Sequence, residues 1–194
     1  LTAFFWFNRH AATMGSVVLA ANGILLAFFT LISHFLDGTA AAAEAQTGHA
    51  FGKNDPAELR QVWLASAVLN FGLMLGLALL LLGFGDALLH LLTDQQAVLT
   101  RAELVLTWVV LLPITGGVAF WLDGVFIGAR RSKDMRNSVL AGFTLFVIST
   151  ELVVSNNTHL WLCFNAFFLT RSLWLLTIFY KKMWRKATPK ALVN

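Results

Sequence analysis

The strongest constraint on this chain is a series of apolar runs near 20 residues long, with most of the charge confined to the short stretches between them. A helical run of that length rises about 30 Å, the thickness of a bilayer's hydrocarbon core. Of the 194 residues 58% are hydrophobic and 12% charged, where soluble domains carry about 25% charge. The expected fold class is all-α, a polytopic transmembrane helical bundle. The net charge of +4 does not point to nucleic acid, because the cations lie between apolar runs, as they do in loops on the cytoplasmic face of a membrane. The single cysteine, Cys163, excludes an internal disulfide and reads as packing.

Taken in order, Leu1–Phe7 is apolar but too short to span. It has neither a basic leader nor a cleavage pattern, so it is not a signal peptide. It is expected to be the tail end of a helix that begins upstream, and the chain a piece of a longer protein. Asn8–Ser16 reads as a polar turn. Val17 to about Gly48 reads as one helix of roughly 45 Å, which must tilt, kink near Gly38 or project beyond the bilayer. Its small residues, Ala40–Ala43, would let a neighbouring helix approach closely.

After a loop at Phe51–Asp55, Asp55 as N-cap, Pro56 at the first position and Glu58 three after the cap start a second helix. It is expected to end at Gly83-Phe84-Gly85, with Asp86–Leu92 as an interfacial turn. Thr93 and Gln96 form a possible capping box for a third helix running to Ala129, kinked at Pro113. Val139–Val154 is the shortest span. Ser155–His159 is a tight turn; the glycosylation-like triplet Asn156-Asn157-Thr158 lies in it and is too constrained for use. Leu160–Tyr180 is the last span. The tryptophans at 63, 108, 161 and 184 fall near span ends, as an aromatic belt would, while Trp121 and Trp174 fall inside spans.

Five spans and a stub result. Eleven of the Lys and Arg residues fall in alternate connections: Lys53 and Arg60, the cluster Arg130, Arg131, Lys133 and Arg136, and the tail with Lys181, Lys182, Arg185, Lys186 and Lys190. The opposite side holds only Arg9 and Arg101. This asymmetry puts the C-terminus in the cytoplasm.

Ionisable groups inside spans are costly and usually have a partner or a task. Asp37 and Glu44 are seven apart and share a helix face with His34 nearby. Asp123 lies in the apolar run that ends at Arg130, beside Gly124 and Gly128, which permit close packing. The triplet Leu36-Asp37-Gly38 echoes Leu122-Asp123-Gly124. Arg171 lies roughly 14 Å from the Lys181 boundary, too deep to snorkel fully, and is expected to neutralise Asp123 or Asp37. Glu151 reads as interfacial. For Asp37 and Asp123 the plainer alternative is a hydrogen bond between packed helices, and for Glu44 hydration at the interface. There is no nucleotide loop, metal-binding signature or catalytic constellation, so an enzyme is not expected and no metal site is assigned.

Leu36-Asp37-Gly38, Glu44-Ala45, Gly48 and Phe51-Gly52-Lys53-Asn54-Asp55 resemble the eighth-helix region of DinF-type MATE (multidrug and toxic compound extrusion) transporters. Leu122-Asp123-Gly124-Val125-Phe126-Ile127-Gly128-Ala129 with Asp134-Met135-Arg136-Asn137-Ser138 resembles their tenth helix and the loop after it. The resemblance implies a MATE-like C-terminal lobe at residues 1–184, the end of helix 7 plus helices 8–12, and a basic cytoplasmic tail at 185–194. It further implies a plasma (inner) membrane antiporter exporting drugs or organic cations by alternating access between two lobes. The coupling ion would be H+ or Na+, with no cofactor. Its partners would be a small-molecule substrate, the lipid bilayer and an N-terminal lobe of the same protein. Asp37, Asp123, Arg171, Glu44 and His34 are the candidate cation and substrate residues. The alternative is a lipid-linked or polysaccharide exporter (flippase) of the same general fold, for which a basic cavity would speak.

Overall fold

Apolar runs fold as helices throughout, and no strand occurs among the described residues, which are 2–187 of a computed structural model. Leu1 and residues 188–194, including Lys190 of the basic tail, lie outside the described residues, as does the Lys186 side chain. The helices are α1 (Thr2–Thr13), α2 (Ser16–Lys53), α3 (Pro56–Leu92), α4 (Gln96–Gly128), α5 (Ser132–Val153) and α6 (Asn157–Phe179). A π turn at Tyr180–Trp184 carries α6 into a last short helix, α7 (Arg185–Ala187). Four helices are long and apolar enough to cross a membrane: α2, α3, α4, and α6 with its extension. The fifth expected span, α5, is 22 residues long with Lys133, Asp134 and Arg136 near its start, and it is less apolar than those four.

Several boundaries differ from expectation, each because packing overrides a local signal. Residues 8–13 are helical, since Phe7 and Ala11 are both fully buried and only Gly15, at φ +104, turns the chain. α2 is one helix through Gly38, as expected, and runs on past Gly48 to Lys53. Gly83 and Gly85 do not end α3. A Cβ on Gly85 would stand 3.2 Å from Leu106 Cδ2 of α4, so this glycine serves a close approach and the helix runs on to Leu92. The Thr93 hydroxyl accepts from Gln95 N at 3.2 Å, and α4 starts behind Gln95 rather than through a Thr93–Gln96 box. α4 continues through Pro113. Residues 132–137 are the first turns of α5 rather than a loop; the reversal is made by Arg130 at φ 57. The Asp55 cap forms as read, accepting from Ala57 N at 2.8 Å and Glu58 N at 3.2 Å, while Glu58 pairs with Lys53.

α4 packs against α2, α3, α5 and α6. Against α2 the contact is backbone on backbone. A Cβ on Gly124 would lie 2.0 Å from the Ala40 carbonyl oxygen, and one on Gly128 2.4 Å from that of Glu44. Gly38 by contrast has nothing within 4 Å, so the two Leu-Asp-Gly triplets are not equivalent packing units. One core cluster gathers Phe7, Phe29, Phe146, Phe164, Phe168 and Trp161; the other gathers Trp63, Trp121, Phe126 and Phe179. Trp63 and Trp161 are therefore interior side chains and not part of a belt, 3% and 0% exposed. Trp161 donates to Asn22 Oδ1 at 2.9 Å, which gives the indole N–H its partner inside the bundle. Asn156 caps α6 and Asn157 exchanges amide hydrogen bonds with Asn22, so the glycosylation-like triplet is occupied structurally. The turns at 14–15 and 154–156 meet Arg101 at one end of the bundle. The turns at 54–55 and 129–131 meet the π turn at the other, where the cations gather.

Candidate functional site

Arg171 enters the site from the middle of α6, and its surroundings fix where it points. Ser172, its neighbour, bridges the two partners of one helical step of α4: its hydroxyl accepts from Ala119 N at 3.2 Å and donates to the Thr115 carbonyl at 2.7 Å. Asn165, lower on α6, donates to the Trp108 carbonyl at 3.0 Å and accepts from the Thr115 hydroxyl at 3.0 Å. These contacts flank Pro113, which has no N–H to offer its own helix. They lock α6 in register against α4. One turn beyond Ala119 stands Asp123, and Arg171 Nη2 donates to its Oδ2 at 2.6 Å.

The aliphatic stem of Arg171 is held on its other side by Gly142 of α5. A Cβ there would come within 3.0 Å of Arg171 Cγ and of the Phe167 carbonyl oxygen. The Arg171 side chain is 9% exposed and that of Asp123 22%. One contact joins them, leaving Asp123 Oδ1 and Arg171 Nε buried without a hydrogen-bond partner. The pair is thus charge-balanced but not saturated.

Arg171 also lines a cavity of about 630 Å3 between α1, α2, α4, α5 and α6. Its walls are largely aromatic, from Phe4, Phe29, Phe120, Phe143, Phe164 and Phe168, with Phe120 and Phe168 stacked at 6.1 Å between ring centres. His34 and Asp37, both exposed, line it from α2 together with Thr30 and Ser33. No ion pair or hydrogen bond engages the Asp37 side chain among the described residues. The ionisable residues that line the cavity are Asp37, His34 and Arg171. Arg171 is paired with Asp123, which does not line it, so the carboxylate left without a counter-ion there is Asp37. Glu44, two turns along from Asp37, is exposed and does not line the cavity. Trp121 is buried and donates to Ser66 at 2.9 Å, while Trp174 is 43% exposed; neither reaches the cavity.

Neutral polar residues, which the ionisable groups inside spans do not reveal, place the site. Asn70 is the clearest: 2% exposed, it donates to the Gly117 carbonyl and accepts from Thr39, tying α2, α3 and α4 together. Ser172 and Asn165 do the same for α4 and α6. The two asparagines stand inside apolar runs, where an amide must find partners within the bundle, whereas the Ser172 hydroxyl could have bonded its own helix and gives no such signal.

The MatE family model matches residues 2–153 of the chain. DNA damage-inducible protein F of Escherichia coli (strain K12) is 35% identical over 180 residues, which is 91% of this chain and 39% of that protein. The probable multidrug resistance protein NorM of Bradyrhizobium diazoefficiens is 31% identical over 142 residues, 70% of this chain and 30% of that one. The chain spans about two fifths or less of the length of these curated relatives.

Proposed function

The chain belongs to the MatE family, and from that premise we propose that it forms the C-terminal lobe, the end of helix 7 with helices 8–12, of a cation-coupled exporter of drugs or organic cations. In this reading the lobe sits in the plasma membrane with its basic end in the cytoplasm and faces an N-terminal lobe across the substrate path. The observation that supports it best is the unpaired Asp37 in a largely aromatic cavity beside a charge-balanced Asp123–Arg171 pair. A cation entering such a cavity meets one uncompensated carboxylate and ring faces that favour positive charge. H+ or Na+ at Asp37 removes that charge, so substrate and coupling ion compete for it, which is the logic of antiport.

Asp123 has a different part in this scheme. Its charge is already spent on Arg171, so it serves a cation only if the pair separates. Movement of α4 against α6 during alternating access would do that, and the unsaturated Oδ1 is where a replacement ligand would bind. Glu44, outside the cavity, is left with an interfacial role. The flippase alternative calls for a basic cavity, and the one guanidinium here is neutralised.

The test is efflux from proteoliposomes by the intact protein, driven by a pH or sodium gradient. Asp37→Asn is expected to lower coupled efflux about tenfold, in the range of ordinary coupling free energies. If Asp37→Asn and Asp123→Asn both run at the wild-type rate, the assigned roles are wrong.

A further inference from the structure

The basic end of the bundle holds a second cavity, of about 290 Å3, made where the ends of α2, α3 and α4 meet the π turn. Phe51, Leu59 and Met183 give it apolar walls; Trp63, Arg131 and Lys182 give it polar edges. Two of those edges carry buried N–H groups with no acceptor among the described residues: Trp63 Nε1 and Arg131 Nε. Trp63 is only 3% exposed, and a buried donor left unmade is a standing cost that an acceptor drawn in beside it, with a small shift of the ring, would remove. Arg60, one turn before Trp63, stacks over the Trp184 ring at 4.7 Å, and its Nε is unpartnered too.

The charges at this end do not balance. Arg131 pairs with Asp134, and Lys182 Nζ reaches the same carboxylate at 3.5 Å. One acid thus serves two cations. Lys53 and Glu58 cancel each other nearby. The missing occupant must be anionic, rich in acceptors and partly apolar.

We propose that this cavity is a headgroup site for an anionic phospholipid. The phosphodiester would take the Trp63 and Arg131 N–H groups and the Lys182 charge, and the glycerol and upper acyl carbons would lie on Phe51, Leu59 and Met183. The place fits the ligand. The cavity is bounded by the ends of α2, α3 and α4, each long and apolar enough to cross a membrane, and basic pockets between the ends of such helices attract anionic headgroups. A free phosphate would leave the apolar walls unused. The proposal requires only that these helices cross a membrane and does not depend on what is transported or how. Its consequence is that lipid holds α3, α4 and the end of α6 together at one face.

The experiment is native mass spectrometry of the intact protein, released from micelles carrying equal amounts of phosphatidylglycerol and phosphatidylcholine with identical acyl chains. Wild type should retain phosphatidylglycerol preferentially. Lys182→Gln, at an exposed side chain, should lower that preference about fivefold, the worth of one cation near a headgroup. Trp63→Phe, which keeps the ring and deletes one N–H to the phosphodiester that both lipids share, should lower the amount of phosphatidylglycerol retained without changing the thermal midpoint in lipid-free detergent. Lys133→Gln, at the same end but outside the cavity, should leave the preference unchanged. Equal retention of both lipids by wild type would overturn the proposal. So would a preference untouched by Lys182→Gln, a retention untouched by Trp63→Phe, or a preference lost equally in Lys133→Gln, which would mean diffuse attraction only. Displacement of the lipid by millimolar inorganic phosphate would assign the site to a free anion instead.

Discussion

α4 is held on two sides by opposite means. Towards α2 the contact is bare backbone: Gly124 and Gly128 lie against the carbonyls of Ala40 and Glu44, with no room for a methyl group. Towards α6 the contact is polar: Ser172, Asn165 and Arg171 each engage an α4 group by hydrogen bond or charge. In a bilayer, where apolar surface alone does not drive helices together, both devices hold a bundle, one by dispersion at close range and the other by polar pairing. The difference lies in what each tolerates. Backbone contact fails on any added atom. A polar contact loses only what its own partner contributed, and it can part and re-form. The cavity with Asp37 and Arg171 lies between these two seams, so one wall is fixed to α4 by shape and the other by exchangeable bonds.

Four single substitutions and one double variant sharpen the contrast. Gly124→Ala should cost the most, about 3 kcal/mol in thermal or denaturant unfolding of the intact protein, because backbone and not a flexible side chain stands in the way. A midpoint equal to wild type would show that the seam is looser than described. Asp123→Asn should cost about 2 kcal/mol, since it leaves a buried guanidinium uncompensated. The double variant Asp123→Asn with Arg171→Gln should regain most of that, which a double-mutant cycle reads directly. Ser172→Ala should cost about 1 kcal/mol, typical of one hydrogen-bonded contact between membrane helices. Gly48→Ala, in the same α2 stretch as Glu44, should be neutral or stabilising by up to about 0.5 kcal/mol from helix propensity. Its Cβ would sit 3.7 Å from the Gly128 carbonyl oxygen, an ordinary contact. If Gly48→Ala and Gly124→Ala behave alike, the steric account of the seam is wrong.

The α2–α4 seam was half legible. Ala40–Ala43, Gly124 and Gly128 announce close packing to some neighbour, though not that they pack on each other. The α4–α6 seam was legible only through Arg171, whose depth demanded an acid; that the partner is Asp123 and not Asp37 depends on the register Ser172 and Asn165 set. Neutral polar residues carry no comparable demand in a linear reading, because Ser and Thr can satisfy themselves on their own helix, as Thr30 does on the Leu26 carbonyl. The end of α3 was not legible at Gly83 and Gly85, because a glycine that admits a neighbouring side chain looks the same in sequence as one that ends a helix.

Composition and charge pattern alone make this chain a bundle of long apolar helices with its cations gathered between alternate runs, since hydrocarbon excludes charge whatever the helices touch. Which carboxylate Arg171 neutralises, which one is left without a counter-ion at the cavity, and which indole and guanidinium N–H groups are buried without an acceptor at the basic end follow from the packing of the helices. Those outcomes depend on the register between helices, and register is set by contacts between residues tens of positions apart.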